Sequence, residues 1–232
     1  MSTVLIEEDP ESAEKAPNAS TAIFSRTSAQ QATASANLEK KVEMTCIILC
    51  GGKSKRMGRP KEFLPLAGTT MLEHVLDRAN NLFAEVLLVT NKSDDFEHLS
   101  ANIVKDIVVD RGPLVGILSG LLVAQHEDVF VLPSDMPLFD EGAIQHLLNY
   151  RRSGVQATIH ANDEFSGSLP GIFSKSLIPF LEEAVFGQRY SLPEFLATIT
   201  HEVAFPPAEG SDRLAVHFDV NTPMDYIRLV HD

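Results

Sequence analysis

TCIILCGGKSKRMGRPK, residues 45–61, joins an apolar run to a loop that is rich in glycine and positive charge. A nearly continuous apolar run of this length is typical of a strand that is buried on both faces of a parallel sheet. The pair Gly51 and Gly52 follows the run directly. Without a Cβ, such residues let backbone N–H groups approach phosphate oxygens closely. The stretch therefore predicts a strand that leads into a phosphate-binding loop at the edge of a sheet.

The rest of the chain alternates between strand-like and helix-like patterns. The further apolar runs lie at 85–90, 103–109, 128–133 and 155–161. Apolar residues at helical spacing lie at 71–83, 115–124 and 141–150, the last after Asp140 as a helix cap. Alternation with short connections predicts right-handed βαβ units. We therefore expect an α/β fold: a doubly wound, mostly parallel sheet flanked by helices, with its ligands at the carboxyl edge.

The first 43 residues differ in composition from the rest. They are rich in Ala, Ser, Thr and Gln, and they hold little that could form a core. We interpret residues 1–43 as a disordered tail and residues 44–232 as the folded domain. The tail lacks a basic start followed by a continuous apolar stretch, so it does not resemble a secretory signal, and its acidic residues argue against an organelle transit peptide.

Charge and cysteine content narrow the class of protein further. The formal net charge is −13, which disfavours nucleic acid as a partner. No stretch approaches the roughly 18 to 20 apolar residues that span a bilayer, so no membrane partner is expected. Cys46 and Cys50 are the only cysteines, and we interpret both as small buried side chains. A chain with so few cysteines, both buried, is typical of a protein in a reducing compartment, here the cytoplasm.

The loop after the first strand concentrates positive charge in an acidic protein. Five of the nineteen lysines and arginines fall within it. They are Lys53, Lys55, Arg56, Arg59 and Lys61. This concentration suits a small polyanion such as a nucleoside triphosphate. The loop is no P-loop, because that motif would need glycine where Ile47 stands, and the dinucleotide-binding fingerprint is also absent.

Three segments further on supply candidate polar groups. In VFVLPSDMPL, 129–138, Asp135 follows a buried strand between two prolines, which suits a Mg²⁺ site. In DRGPLVGILSGL, 110–121, the small residues have two explanations. They allow a base or ribose to approach closely, or they allow a tight contact between helix and sheet. In HFDVNTPMDY, 217–226, Asp219 and Asn221 lie two apart at a predicted strand end, where both would point to one face. Helix capping by this last segment is the alternative.

These residues together resemble a known family. LCGGKSKRMGRPKEFLPLAGTTMLEHVL, 49–76, is similar to the signature of the molybdenum cofactor guanylyltransferases, which are nucleotidyltransferases with a glycine-rich pyrophosphorylase loop. The resemblance continues through FVLPSDMPL and DVNTPMDY and covers about residues 44–230. It implies GTP and Mg²⁺, transfer of GMP to the phosphate of molybdopterin, and release of pyrophosphate. A molybdoenzyme apoprotein or a cofactor-insertion protein would be the protein partner.

The resemblance also implies roles for individual residues. The nucleotide would be bordered by Leu49, Cys50, Gly51 and Gly52. Lys53, Arg56 and Lys61 would offset phosphate charge during transfer. Asn91 and Asp110 would hold the base and the ribose. Asp135 would bind both the nucleotide and Mg²⁺. Asp219 and Asn221 would lie either on the acceptor side or on the side of a second metal.

Two alternatives stay open at this point. One is the same chemistry with other substrates: CTP with molybdopterin, or GTP or CTP with a sugar or polyol phosphate. The pair Gly51 and Gly52 resembles the guanylyl form. The other is a nucleotide-binding protein without catalysis that delivers cofactor to an apoenzyme. The presence of Lys61, Asp135 and Asp219 together favours an enzyme.

Overall fold

Within the described residues, one sheet of seven strands runs in the order β5-β4-β1-β6-β8-β7-β9. The computed structural model describes residues 41–51, 56–161, 167–205 and 218–231. The strands of the sheet are β1 (Val42–Leu49), β4 (Phe83–Val89), β5 (Asn102–Val104), β6 (Asp128–Pro133), β7 (Ala157–Ala161), β8 (Gly167–Ser174) and β9 (His201–Ala204). Two short strands, β2 (Pro65–Leu66) and β3 (Thr69–Thr70), pair separately.

The first half of the sheet is parallel and the second half is mixed. β5, β4, β1 and β6 run in the same direction. β8 is antiparallel to both β6 and β7, and β9 is parallel to β7. The mostly parallel α/β fold expected from the sequence is therefore confirmed. The antiparallel β8 was absent from the predicted strands.

Six α-helices are described; the first five pack on the two faces of the sheet, and the last belongs to a separate, smaller core. They are α1 (Met71–Leu82), α2 (Pro113–Val123), α3 (Glu141–Tyr150), α4 (Ile178–Phe186), α5 (Leu192–Leu196) and α6 (Pro223–His231). None of these helices is long and apolar enough to cross a membrane. The side chain of Asp140 caps α3 by accepting a hydrogen bond from the Ala143 N–H at 3.0 Å, which confirms that expectation.

Alternate residues of β1 contribute to two separate hydrophobic cores. Ile47 packs in the core beneath α2, α4 and α5. Cys46 and Ile48 pack in the core beneath α1 and α3. Such alternation is expected for a strand with helices on both of its faces. Both cysteines are buried as predicted, and burial raises the pKa of each thiol, that of Cys50 to about 12.

The glycines of α2 let this helix lie very close to β1. A Cβ at Gly120 would stand 2.3 Å from Cδ1 of Ile47, and one at Gly116 would stand 2.8 Å from Cδ2 of Leu49. Both distances are too short for real contacts. The tight helix–sheet contact, one of two explanations left open by the sequence, thus accounts for Gly120, whereas Gly116 also lines the cavity described below.

The strand predicted at 103–109 is wrong over most of its length. β5 ends at Val104, and the following residues form an irregular loop. The Ile107 N–H donates to Oγ of Ser119 at 3.0 Å, so the loop is held to α2 rather than to a neighbouring strand. Asp110 consequently does not end a strand, and it adopts a left-handed conformation with φ of 59°.

Candidate functional site

Four neighbouring strands end at the same level, which creates a common edge. The backbone ladder continues just past β1, where the Cys50 N–H donates to Val89 O at 2.9 Å. The Ser134 N–H donates to Leu49 O at 3.1 Å, and the Thr90 N–H donates to Val104 O at 2.9 Å. These bonds fix the first residue after β1, β6 and β4. A cavity of about 470 Å³ lies over this edge.

Seven of the residues predicted for the site line this cavity. They are Leu49, Cys50, Gly51, Lys61, Asn91, Asp110 and Asp135. They come from four separate segments that the sheet topology brings together. The lining residues that had no predicted individual role include Asp106, Arg111, Gly112 and Leu169. The carboxylate of Asp135 thus shares one cavity with the backbone of Gly51, as the phosphate-loop interpretation requires.

Lys61 and Asp135 form an ion pair in the wall of the cavity. Nζ of Lys61 contacts Oδ2 of Asp135, and it also donates to Oδ1 of Asn221 at 3.3 Å. The two charged side chains are only 15 % and 13 % exposed. Solvent screens the charges of a lysine and a carboxylate only weakly when the side chains are buried to this degree. Both are therefore well placed to act on a charged ligand.

The segment that carries Asp219 and Asn221 is attached to the same place. The Val220 N–H donates to the carbonyl oxygen of Asp135 at 2.9 Å. The Asn221 amide group donates to the Asp219 carboxylate. The two side chains therefore meet, as predicted, although residues 218–221 are irregular rather than a strand end. Partial burial, and next the charge of Asp135, raise the pKa of Asp219.

Helix capping at α6 is carried out by other residues. Oγ1 of Thr222 accepts from the Asp225 N–H at 3.3 Å, and Oδ2 of Asp225 accepts from the Thr222 N–H at 2.7 Å. The side chains of Asp219 and Asn221 are not needed for this purpose. The capping alternative therefore explains Thr222, whereas the Asn221 side chain contacts Lys61 and Asp219.

Asp135 and Asp219 are the carboxylates that could share a metal ion. Among the residues that the structure describes, no group of three or more His, Cys, Asp or Glu side chains is placed to hold one. Asn221 links the two carboxylates, because its side chain donates to Asp219 and accepts from Lys61, the ion-pair partner of Asp135. Mg²⁺ is usually bound by one or two carboxylates together with substrate phosphates and water. The donor set therefore fits a metal that arrives with a phosphate ligand.

Asp106 is a cavity residue that the sequence interpretation missed. Its Oδ2 accepts a hydrogen bond from the Asn91 side-chain amide at 2.8 Å. Its Oδ1 is buried and accepts no hydrogen bond within the described part of the chain; the nearby Ser119 hydroxyl donates to the Val115 carbonyl instead. Burial raises the pKa of Asp106, and the charge of Asp110 adds to the effect.

An acidic residue inside an apolar run was the available signal for Asp106. The apolar run 103–109 is typical of a strand. Side chains of a strand alternate between its two faces, so Asp106 would be one of several side chains on one face. A carboxylate is costly to bury without a partner. An acidic residue in this run is better explained if the strand ends early, because Asp106 then lies at the carboxyl edge of the sheet, beside Asn91.

The remaining predicted loop residues have different outcomes. Gly52 and Lys53 lie outside the described residues, so their assignment stays a prediction. Arg56 is described and exposed, and it is not among the residues that line the cavity. Its proposed contact with phosphate therefore also stays a prediction.

The second half of the loop is held in place by contacts to distant elements. Nζ of Lys92 lies 3.2 Å from Oε1 of the buried Glu62, directly after Lys61. The Tyr226 hydroxyl donates to Pro65 O at 2.6 Å, and the Arg59 guanidinium lies 6.0 Å from the Tyr226 ring centroid. Helix α6 thus packs on the segment that positions Lys61.

Comparison with known proteins agrees with this geometry. The model of the family described as "MobA-like NTP transferase domain" matches residues 46–203. A probable molybdenum cofactor guanylyltransferase from Carboxydothermus hydrogenoformans is 31 % identical over 81 % of this chain and 95 % of its own length. One from Aquifex aeolicus is 30 % identical over 80 % of this chain and 90 % of its own length.

Solved structures show the same fold. A crystal structure of a putative protein from Aquifex aeolicus has a TM-score of 0.66 and 27 % identity, covering 79 % of this chain and 96 % of that one. The structure of molybdopterin-guanine dinucleotide biosynthesis protein A from Archaeoglobus fulgidus has a TM-score of 0.68 and 23 % identity, covering 80 % of this chain and 96 % of that one.

Proposed function

Since this chain belongs to the family of MobA-like NTP transferases and is a nucleotidyltransferase, we propose that it transfers GMP from GTP to the phosphate of molybdopterin, with release of pyrophosphate. The names of the relatives support GMP transfer in the biosynthesis of molybdenum cofactor. The observation that carries the proposal is the Lys61–Asp135 ion pair, which shares one cavity with the backbone of Gly51 and is bonded to the Asn221 side chain through Lys61.

The reaction is an in-line displacement at phosphorus. An oxygen of the acceptor phosphate attacks the α-phosphorus of GTP and forms the new P–O bond. The bond from the α-phosphorus to the bridging oxygen breaks, and the electron pair leaves with pyrophosphate. The protein supplies orientation and charge compensation rather than a covalent intermediate. Lys61 is the described cation best placed to offset charge that develops on the phosphoryl oxygens, and Lys53 and Arg56 would act on the leaving pyrophosphate.

Mg²⁺ is the metal that this proposal includes. Asp135 and Asp219 would hold it, and it would neutralise phosphate oxygens and orient the triphosphate. Lys61 forms an ion pair with Asp135. The positive charge of Lys61 offsets the repulsion between the carboxylates of Asp135 and Asp219 before the triphosphate binds. Once the triphosphate is bound, Lys61 is in position to contact the α-phosphate.

Asp106 is our candidate for base selection. Its unpartnered Oδ1 is an acceptor, and guanine presents two adjacent N–H donors on the edge that pairs in nucleic acids. Asn91 fixes the carboxylate through its side-chain amide. Leu49, Val89 and Gly116 line the same part of the cavity and offer an apolar surface for a planar base. Asp110, next to the cavity mouth, would contact the ribose.

The alternatives differ in how well they are supported. Use of CTP, or of another phosphorylated acceptor, requires only a change in the contacts to base and acceptor, so substrate selection decides between them. A delivery protein without catalysis would not need a lysine–carboxylate pair beside a phosphate loop. Binding of a molybdoenzyme apoprotein or a cofactor-insertion protein remains compatible with the enzyme.

A substrate panel tests the proposed function. The purified full chain would be mixed with Mg²⁺, molybdopterin, and GTP, CTP or ATP in turn, and pyrophosphate release would be measured together with the dinucleotide product. We expect turnover with GTP to exceed turnover with CTP at least about tenfold, a difference of about 1.4 kcal/mol in transition-state stabilisation. The proposal would be refuted if pyrophosphate were released without molybdopterin, or if CTP were preferred over GTP. The Asp95→Asn variant, changed at an exposed residue, is the matched control.

A further inference from the structure

Arg111 is the second cation that lines the described cavity, and its surroundings differ from those of Lys61. Lys61 is paired with Asp135. No carboxylate lies within ion-pair distance of Arg111 among the described residues. Its guanidinium instead lies over the ring of Tyr190, with Cζ 5.2 Å from the ring centroid. A cation on an aromatic face is held by the ring quadrupole, and its N–H donors stay available at the edge of the guanidinium.

The backbone around Arg111 directs its side chain towards Tyr190. Asp110 and Gly112, on either side, have φ of 59° and 88°. Two left-handed residues flank Arg111 directly before α2, and this turn sets the direction of its side chain. Tyr190 is half-buried and packs against the hydrophobic core shared by α2, α4 and α5. The contact therefore joins the start of α2 to the segment between α4 and α5.

This contact places Arg111 towards the second half of the sheet. Leu169 of β8 packs against the same core as Tyr190 and also lines the cavity. The cavity thus extends from Asn91, beyond β4, as far as β8. If the guanosine lies at Asn91 and Asp106, as proposed above, the acceptor has to approach the α-phosphate from elsewhere along the cavity.

We propose that Arg111, held on the ring of Tyr190, binds the phosphate group of the acceptor. This inference rests on the proposed function. The acceptor phosphate is an anion that must come close to the negatively charged α-phosphate, so a cation separate from Lys61 lowers the repulsion. A guanidinium is suited to this task because its planar fork donates two parallel hydrogen bonds to phosphate. Tyr190 acts as a positioning residue through Arg111.

The test compares acceptor binding with nucleotide binding. Wild type, Arg111→Ala, Arg111→Lys and the control Arg152→Ala, changed at an exposed arginine, would be titrated with molybdopterin while saturated with Mg²⁺ and a non-hydrolysable GTP analogue. Affinity for the analogue alone would be measured in parallel. We expect Arg111→Ala to weaken molybdopterin binding at least about tenfold while affinity for the analogue stays within about twofold, because charge-assisted contacts to phosphate are among the stronger hydrogen bonds.

The role of Tyr190 has its own readout. Tyr190→Phe keeps the aromatic face and should retain the wild-type KM for molybdopterin. Tyr190→Leu removes the face and should raise that KM several-fold, with the KM for GTP unchanged. A purely structural role would move both constants, and would be accompanied by a lower melting temperature in both variants.

The outcomes separate the two proposals. Equal molybdopterin affinity of wild type and Arg111→Ala overturns the inference about Arg111. A loss of affinity for the GTP analogue in Arg111→Ala also overturns it, because it assigns the arginine to the nucleotide. If wild type binds molybdopterin through Arg111 but releases no pyrophosphate from GTP, the proposed transfer fails while the inference stands. If wild type binds no molybdopterin, both fail.

Discussion

The backbone N–H of Val220 donates to the carbonyl oxygen of Asp135 at 2.9 Å, and this bond ties the segment before α6 to the turn that follows β6. It sets Asp219 and Asn221 on either side of the attachment point. The positions of both side chains therefore depend on the backbone of Asp135. The site is thus a joint product of β6 and of the segment before α6.

The two carboxylates should differ in their effect on catalysis. Asp135→Asn removes both the lysine partner and the main proposed metal ligand, and we expect kcat to fall at least about 100-fold, or about 2.7 kcal/mol. Asp219→Asn leaves the Lys61–Asp135 ion pair in place and relieves repulsion with Asp135, so its loss should be smaller. Steady-state kinetics across a Mg²⁺ titration measures both. Near-normal turnover in Asp135→Asn would refute the role of this residue in metal binding.

Lys61 should matter for turnover and not for metal affinity. In Lys61→Ala the Asp135 carboxylate no longer has its cationic partner, so a divalent cation meets less competition at the site. We expect Mg²⁺ affinity equal to or tighter than that of wild type, with kcat lower by at least about tenfold. Kinetics at saturating Mg²⁺, beside a direct titration with Mn²⁺, separate the two effects. Weaker metal binding together with normal kcat would contradict this assignment.

The sequence predicted the parts of the site whose signals are local. β1, its glycine-rich continuation and Asp135 after β6 are each read from a few consecutive residues. Their convergence follows from one topological rule, that parallel strands of a doubly wound sheet share a carboxyl edge. Lys61 was recognised by the resemblance and by charge, and the ion pair with Asp135 could be expected once both were placed at that edge.

Features that depend on long-range contacts were missed. β5 stops at Val104 because the next residues are held by Ser119 of α2, a contact that apolar periodicity does not reveal. β8 contains Gly171 and Pro170, which weaken a strand pattern. The contact of Arg111 with Tyr190 joins segments that are distant in the chain, and neither residue carries a local signal for it.

Asp106 should select the base at a cost in stability. Folding raises the pKa of this carboxyl, chiefly by burial. Its contribution to stability is therefore fully present below the unfolded-state pKa and is lost as the pH rises through the higher folded-state pKa. At pH 7 wild type carries this penalty, so Asp106→Asn should have the higher melting temperature, and the difference should shrink as the pH falls towards about 4.

The same variant should lose its preference for guanine. An asparagine side chain offers one acceptor rather than a carboxylate, and we expect affinity for GTP to drop at least about tenfold while affinity for ITP, which lacks the 2-amino group, changes less. Thermal unfolding at several pH values and nucleotide titrations measure both effects. A lower melting temperature at pH 7 would contradict the electrostatic argument, and equal losses for GTP and ITP would contradict the assignment of base selection.

Gly120 provides a test of the fold that is separate from the chemistry. A Cβ there would lie 2.3 Å from Cδ1, 2.8 Å from Cγ1 and 3.0 Å from Cγ2 of Ile47. Since three atoms of a fully buried side chain are too close, Ile47 cannot simply rotate away, and α2 must move off β1. We expect Gly120→Ala to lower the free energy of unfolding by about 1–3 kcal/mol, as overpacked cores do, even though alanine favours helix by about 1 kcal/mol over glycine. Denaturant unfolding measures the change. The double variant Gly120→Ala with Ile47→Val removes one of the three crowding atoms and should recover part of the loss; a single variant as stable as wild type would show that α2 does not lie this close to β1.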